Sequence, residues 1–140
     1  MSVADTNVLV HVSAVASLAH EQAGDALAKL AAEGPVAVTR QVLRKSVAVT
    51  KRPRSWAPAA KAKVAFETAN GFAGQFEMLG DGPRVWHELV RLSRHAPFGG
   101  KQVNDADIAE TTLAHGETQL LTFVGNTPRR FAPLIEIVEP

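Results

Sequence analysis

The sequence contains no cysteine, which removes disulfides and thiolate metal sites and leaves the redox compartment undetermined. No apolar run approaches the roughly 18 residues that a membrane span requires. No basic region precedes a long apolar stretch at the N-terminus, so no secretory signal is expected and the cytoplasm is the expected location. There is no Gly-rich phosphate loop and no serine-nucleophile elbow. The histidines His11, His20, His87, His95 and His115 show no paired metal-ligand spacing. One absence is local. Between Gly34 and Phe66 there is no Asp or Glu, yet this stretch holds eight of the fifteen cations of the chain. A segment of this kind attracts phosphate without reading sequence. It reads equally as a solvated helix face with a basic loop, or as a dock for an acidic protein.

What is present describes an ordinary globular chain. The 140 residues are 46% apolar and 21% charged, with a net charge of only +1. One domain spanning 1–140 is expected, long enough to bury a real core. Short apolar runs alternate with helical patterns. Ser2–Ala4, Val36–Val38, Phe76–Leu79, Leu120–Phe123 and Ile135–Val138 read as strands. Between them, apolar residues recur at helical spacing: Val8, Leu9 and Val12; Ala23, Leu27 and Leu30; Val42, Leu43 and Val47; Val85, Leu89 and Leu92; Ile108, Ala109, Thr112 and Leu113. A further helix is expected from Lys61 to Phe72, ended by Gly71 and Gly74. Thr39 suits a helix N-cap and Pro83 a first helical turn. Gly116 suits a helix C-terminus, with His115 favourable to the dipole there. Trp86 is expected on the core face of its helix. Trp56, in a basic Pro-flanked loop, either anchors a partner or covers the core. Strands separated by helices imply an α/β domain with a mostly parallel sheet.

Two acidic groups carry the chemistry. Asp5-Thr6-Asn7 ends the first apolar run, just ahead of a helix. An acid there reaches the carboxyl edge of a sheet, where open α/β sheets bind ligands. Asp105-Ala106-Asp107 stands at another helix start, opened by Asn104 or Asp105. Two carboxylates on different elements suit Mg²⁺, which takes hard oxygen ligands together with water and substrate phosphate. Asp5 reads also as a plain helix N-cap. Thr6 and Asn7 orient Asp5 or satisfy helix-start amides.

These residues resemble a known family. Asp5-Thr6-Asn7-Val8-Leu9-Val10 is similar to the opening of PIN-domain proteins, especially VapC-type toxins of toxin–antitoxin pairs. Gln41-Val42-Leu43-Arg44 with Thr50-Lys51-Arg52-Pro53 resembles a second block of one VapC-like group. Val103-Asn104-Asp105-Ala106, Leu113-Ala114-His115-Gly116 and Leu120-Leu121-Thr122-Phe123 resemble a third. The resemblance spans nearly the whole chain. It implies a PIN-like three-layer fold, with a five-stranded sheet and helices on both faces. It also implies Mg²⁺- or Mn²⁺-dependent endoribonuclease activity on RNA, a small antitoxin partner and a homodimer. By the same resemblance, Asp5 and Asp105 are the catalytic and metal-binding acids.

The chain departs from that pattern at two acidic positions. The second acid falls on Lys45 and the fourth near Thr127, while Val124 replaces a family Asn. The four positions therefore carry −1 rather than −4. Two unit charges 4 Å apart interact by about 4 kcal/mol at an effective dielectric near 20. The Lys45 ammonium can thus take the cation's place beside Asp5 or Asp105, or swing into solvent. Asp107, two residues beyond Asp105, faces a different direction on an ideal helix. It reads as a first-turn acid favoured by the dipole, or as a replacement ligand. Weak metal binding and reduced activity are the expectation. The alternative is a non-catalytic PIN domain that binds RNA or an antitoxin.

Overall fold

The computed structural model describes residues 1–94, 106–123 and 134–140. Five strands, β1 (Ser2–Ala4), β2 (Val36–Thr39), β3 (Glu77–Leu79), β4 (Gln119–Leu121) and β5 (Glu136–Val138), form one sheet. Their order is β3-β2-β1-β4-β5, and every pairing is parallel. Among the described residues there are six helices: α1 (Thr6–Ser13), α2 (His20–Glu33), α3 (Arg40–Thr50), α4 (Ala62–Gln75), α5 (Pro83–Ser93) and α6 (Asp107–Ala114). Helices α1 to α4 pack in series, α1 on α2 and α3, and α3 on α4, while α5 packs on α6. Two such groups are what right-handed crossovers require when the strand order reverses.

The sequence explains the layering. β1 and β2 lie inside the sheet and are buried at every position, so they read as continuous apolar runs rather than alternating ones. β3 is an edge strand and leaves Glu77 and Met78 exposed. Leu9 of α1, Leu92 of α5, Leu120 and Leu121 of β4, and Ile135 are fully buried. Each such side chain contributes roughly 1.5–3 kcal/mol on leaving water. None of the helices is long and apolar enough to cross a membrane.

Helix boundaries follow local chemistry. The Thr39 hydroxyl accepts from the Val42 amide at 3.0 Å and caps α3. Pro83 occupies the first turn of α5. Gly116, at φ +74°, ends α6 in a Schellman motif. Its amide reaches Leu113 O at 3.0 Å, and the Glu117 amide reaches Thr112 O at 3.0 Å.

Two expectations need correction. Gly71 and Gly74 do not end α4, which continues to Gln75. Neither glycine has a positive φ. Partly buried Phe72, Ala73 and Phe76 pack on the core across this turn, and the Phe72 and Phe76 rings stack 6.1 Å apart. That packing outweighs the roughly 1 kcal/mol that a helical glycine costs. Trp86 is not on the core face of α5; it is 64% exposed. Val85 and Leu92 take the buried stripe, and one residue's rotation past Val85 carries Trp86 outward.

Candidate functional site at the carboxyl edge of the sheet

Strand order fixes the place of the site. β1 continues to β2 on one side and pairs with β4 on the other, so the chain reverses direction between β1 and β4. Ligands of open α/β sheets bind at such a switch point, outside the carboxyl ends of the strands. Asp5 follows β1 there and Thr122 follows β4.

Asp5 is held from two sides. Its Oδ1 accepts from the Thr6 amide at 2.6 Å, and its Oδ2 accepts from the Thr122 hydroxyl at 2.7 Å. The Asp5 amide donates to Leu121 O at 2.9 Å, tying the same corner to β4. Asn7 completes the clasp. Its Nδ2 donates to Thr122 Oγ1 at 3.1 Å and to Phe123 O at 3.2 Å, and its Oδ1 accepts from the Phe123 amide at 3.2 Å. Asp5 is therefore both the N-cap of α1 and an oriented acid at the edge.

A pocket of about 360 Å³ opens beside it, with Asp5, Asn7, His11, Lys45, Arg54 and Trp56 in its walls. Lys45 lines the same pocket as Asp5, but no ion pair joins the two among the described residues. Arg54 lies 4.5 Å over the Trp56 ring. His11 stands 5.3 Å from Trp56 and 5.0 Å from Phe123, and shares a 2.6 Å hydrogen bond with the Ser17 hydroxyl. Burial, and then the Arg54 charge, hold His11 below its ordinary pKa, so it adds no positive charge near neutrality.

A second group of acids lies on α6. Asp107 shares a small pocket with Thr39, Arg40, Arg44, Asp81 and Thr111. Arg40 pairs with Asp81 at 3.6 Å on the exposed rim. Glu110, one turn beyond Asp107, is only 7% exposed. Asp107 Oδ2 and Glu110 Oε2 are buried without a hydrogen-bond partner among the described residues. Burial raises the Asp107 pKa; Lys45 and Arg40 oppose that rise and Asp81 reinforces it. Burial, with the charges of Asp107 and Asp81, pushes Glu110 from 4.5 up to about 7.

Of the expected site residues, Asp5 stands at the edge as anticipated. Asp105, Asn104, Val124 and Thr127 lie outside the described residues. Among the described residues no group of three or more His, Asp or Glu side chains can hold a metal ion. There the donor set is one carboxylate with a nearby ammonium, which does not fit Mg²⁺ by itself. Sequence reasoning missed Thr122, Arg54 as a pocket wall, and Glu110. Thr122 was legible in principle, because it follows β4 as Asp5 follows β1. Glu110 was legible as a lone acid inside the otherwise apolar and small-residue run Ile108–Thr112.

No family model and no curated protein matches this chain. Solved structures do. VapBC2 from Rickettsia felis, bound to a DNA fragment from its promoter, aligns over 99% of this chain and 98% of its own, with a TM-score of 0.72 and 16% identity. A toxin–antitoxin complex from Klebsiella pneumoniae aligns over 99% and 96%, with a TM-score of 0.65 and 17% identity. FitAB bound to an IR36 DNA fragment aligns over 100% and 95%, with a TM-score of 0.67 and 19% identity. These likenesses establish the fold. The chain has the PIN-like α/β architecture found in toxin–antitoxin complexes of the VapBC and FitAB kind.

Proposed function

We propose that this chain is the toxin-like member of a toxin–antitoxin pair and engages RNA at the Asp5 edge, with slow phosphodiester turnover. The carrying observation is that Asp5, oriented by Thr6 and Thr122, shares its pocket with Lys45, and that no second carboxylate lines it among the described residues. The antitoxin partner enters through the fold's likeness to toxin–antitoxin complexes. RNA as substrate, Mg²⁺ or Mn²⁺ as cofactor, the Asp5–Asp105 ligand pair and a homodimer enter through the resemblance of the motifs. A divalent ion, if held by Asp5 together with Asp105, would supply phosphate polarisation and an activated water. The described residues contribute an oriented carboxylate and cations that attract the RNA backbone. A purely binding, non-catalytic module is the second reading. It is favoured by the lack of any three-ligand acidic cluster among the described residues.

The test is RNA cleavage and RNA binding with and without Mn²⁺. The chains compared are the wild type, Asp5→Asn and a Lys45→Glu, Thr127→Asp double variant. The expected result is weak cleavage by the wild type, a clear gain in the double variant, and RNA binding retained in both. Robust metal-dependent cleavage by the wild type, lost in Asp5→Asn, overturns the slow-turnover reading. No cleavage by any variant leaves the binding module as the correct function.

A further inference from the structure

The basic wall of the Asp5 pocket is built, charged and unanswered. Lys45 and Arg54 both line it, and neither belongs to an ion pair among the described residues. Arg54 is fixed by a tight turn in the loop between α3 and α4. Its amide donates to Ala57 O at 2.8 Å and its carbonyl accepts from the Ala57 amide at 3.2 Å. The turn lays the guanidinium over Trp56, which His11 supports from the pocket wall. Arg54 Nε and Nη1 are buried and have no acceptor among the described residues. Donors of a charged group left unpaired in a protein interior are strongly unfavourable, and such a group calls for a missing anion or water.

Asp5 does not supply that anion. Its oxygens accept from the Thr6 amide and the Thr122 hydroxyl, and no ion pair joins Asp5 to Arg54 among the described residues. Among the described residues that line the pocket, two fixed cations, Lys45 and Arg54, face one acid, Asp5. A planar guanidinium held in place and a mobile ammonium are the pair of cations best suited to phosphate oxygens. Attraction to the two cations and repulsion by Asp5 both scale with the ligand's charge, so where the attraction is the larger a monoester dianion gains more than a singly charged diester.

We propose that Lys45 and Arg54 make this pocket a phosphate-monoester site, where the motif resemblance alone would place a divalent cation. The terminal phosphate of an RNA strand and a free mononucleotide share the required chemistry. The anion site stands on the pocket itself; only its RNA source rests on the function proposed above. Because Arg54 Nε and Nη1 are sealed from water, the guanidinium meets its ligand through its remaining nitrogen or after a small shift of the Arg54–Ala57 turn. Either movement disturbs Trp56.

Trp56 is therefore the reporter. The chain has two tryptophans, and exposed Trp86 is removed as Trp86→Phe. In this background the full chain is titrated with inorganic phosphate and AMP, then with a short RNA carrying either a 5′-phosphate or a 5′-hydroxyl. Ionic strength is matched with chloride. The expected result is a saturable Trp56 fluorescence change with phosphate and AMP, weakened about tenfold or more in both Arg54→Gln and Lys45→Met. Lys45→Glu is the control for folding: it loses phosphate affinity and gains Mn²⁺ affinity, a reciprocal change that an unfolded chain does not show. Preference for 5′-phosphorylated RNA over its 5′-hydroxyl form identifies RNA ends as the source. Binding of phosphate and AMP without that preference supports the site with a mononucleotide source and counts against the RNA reading. No saturable phosphate or AMP binding by the parent chain, or equal binding by folded Arg54→Gln and Lys45→Met, overturns the proposal.

Discussion

Asp5 and Glu110 are both acids near the carboxyl side of the same sheet, yet their surroundings are opposite. Asp5 is clasped by donors from Thr6 and Thr122 and looks into a pocket of cations. Glu110 is buried beside Asp107, with an oxygen lacking any donor. One corner gives its carboxylate donors, and the other leaves a carboxylate oxygen without one among the described residues. The comparison teaches that an acid's position near a sheet edge does not settle its chemistry. What decides is whether the neighbouring strand delivers a donor. β4 delivers Thr122 to Asp5, whereas α6 buries Glu110 under the charges of Asp107 and Asp81.

The largest expected effect comes from the penalised corner. Glu110 keeps its proton to about pH 7 in the folded chain but releases it near 4.5 when unfolded. The folded state then binds more protons across this window. Its stability is complete below the lower value and falls as pH rises through the upper one. The loss amounts to about 2 kcal/mol after allowance for solvent screening. Urea unfolding of the wild type and Glu110→Gln from pH 5 to 8 measures it, and the variant is expected to show a much flatter profile. An equally steep profile in the variant would place the penalty elsewhere.

The clasped corner gives the next effect. Thr122→Val keeps the volume but removes the donor to Asp5 Oδ2. A hydrogen bond to a charged group contributes about 1.5–3 kcal/mol, so destabilisation near the lower end is expected. Urea unfolding measures it, and unchanged stability in the variant would mean that the Thr122 hydroxyl does not hold this corner. A smaller effect tests the helix between the two corners. Thr39→Ala removes the α3 cap and should cost about 1 kcal/mol in chemical denaturation. The smallest is Trp86→Ala, expected within about 0.5 kcal/mol of the wild type because the ring is exposed. A larger loss would mean that Trp86 has a covered role.

The sequence determined most of the architecture by itself. Short apolar runs, the period-3.6 pattern, Thr39, Pro83 and Gly116 are local signals, and they set the elements and several of their ends. Asp5 was legible for the same reason, since an acid directly after a buried run and before a helix has few places to go. Other features were not local. Gly71 and Gly74 looked like stops because the contacts of Phe72, Ala73 and Phe76 with the core are invisible along the chain. Trp86 looked buried because one position of rotation on α5 separates it from Val85.

The site shows the same division. Sequence placed Lys45 where an acid was expected. Only tertiary structure joined it to Arg54, Trp56 and His11 around Asp5, since these come from different helices and a loop. The Thr122–Asp5 bond spans 117 residues and exists because β1 and β4 pair. Glu110 acquires its raised pKa from burial and from Asp107 and Asp81, so its charge state belongs to the packed molecule. Periodicity and capping act over one or two turns and can be read in order along a chain. Burial, dielectric and the meeting of distant charges depend on which surfaces close on one another, and that is decided only when the sheet assembles.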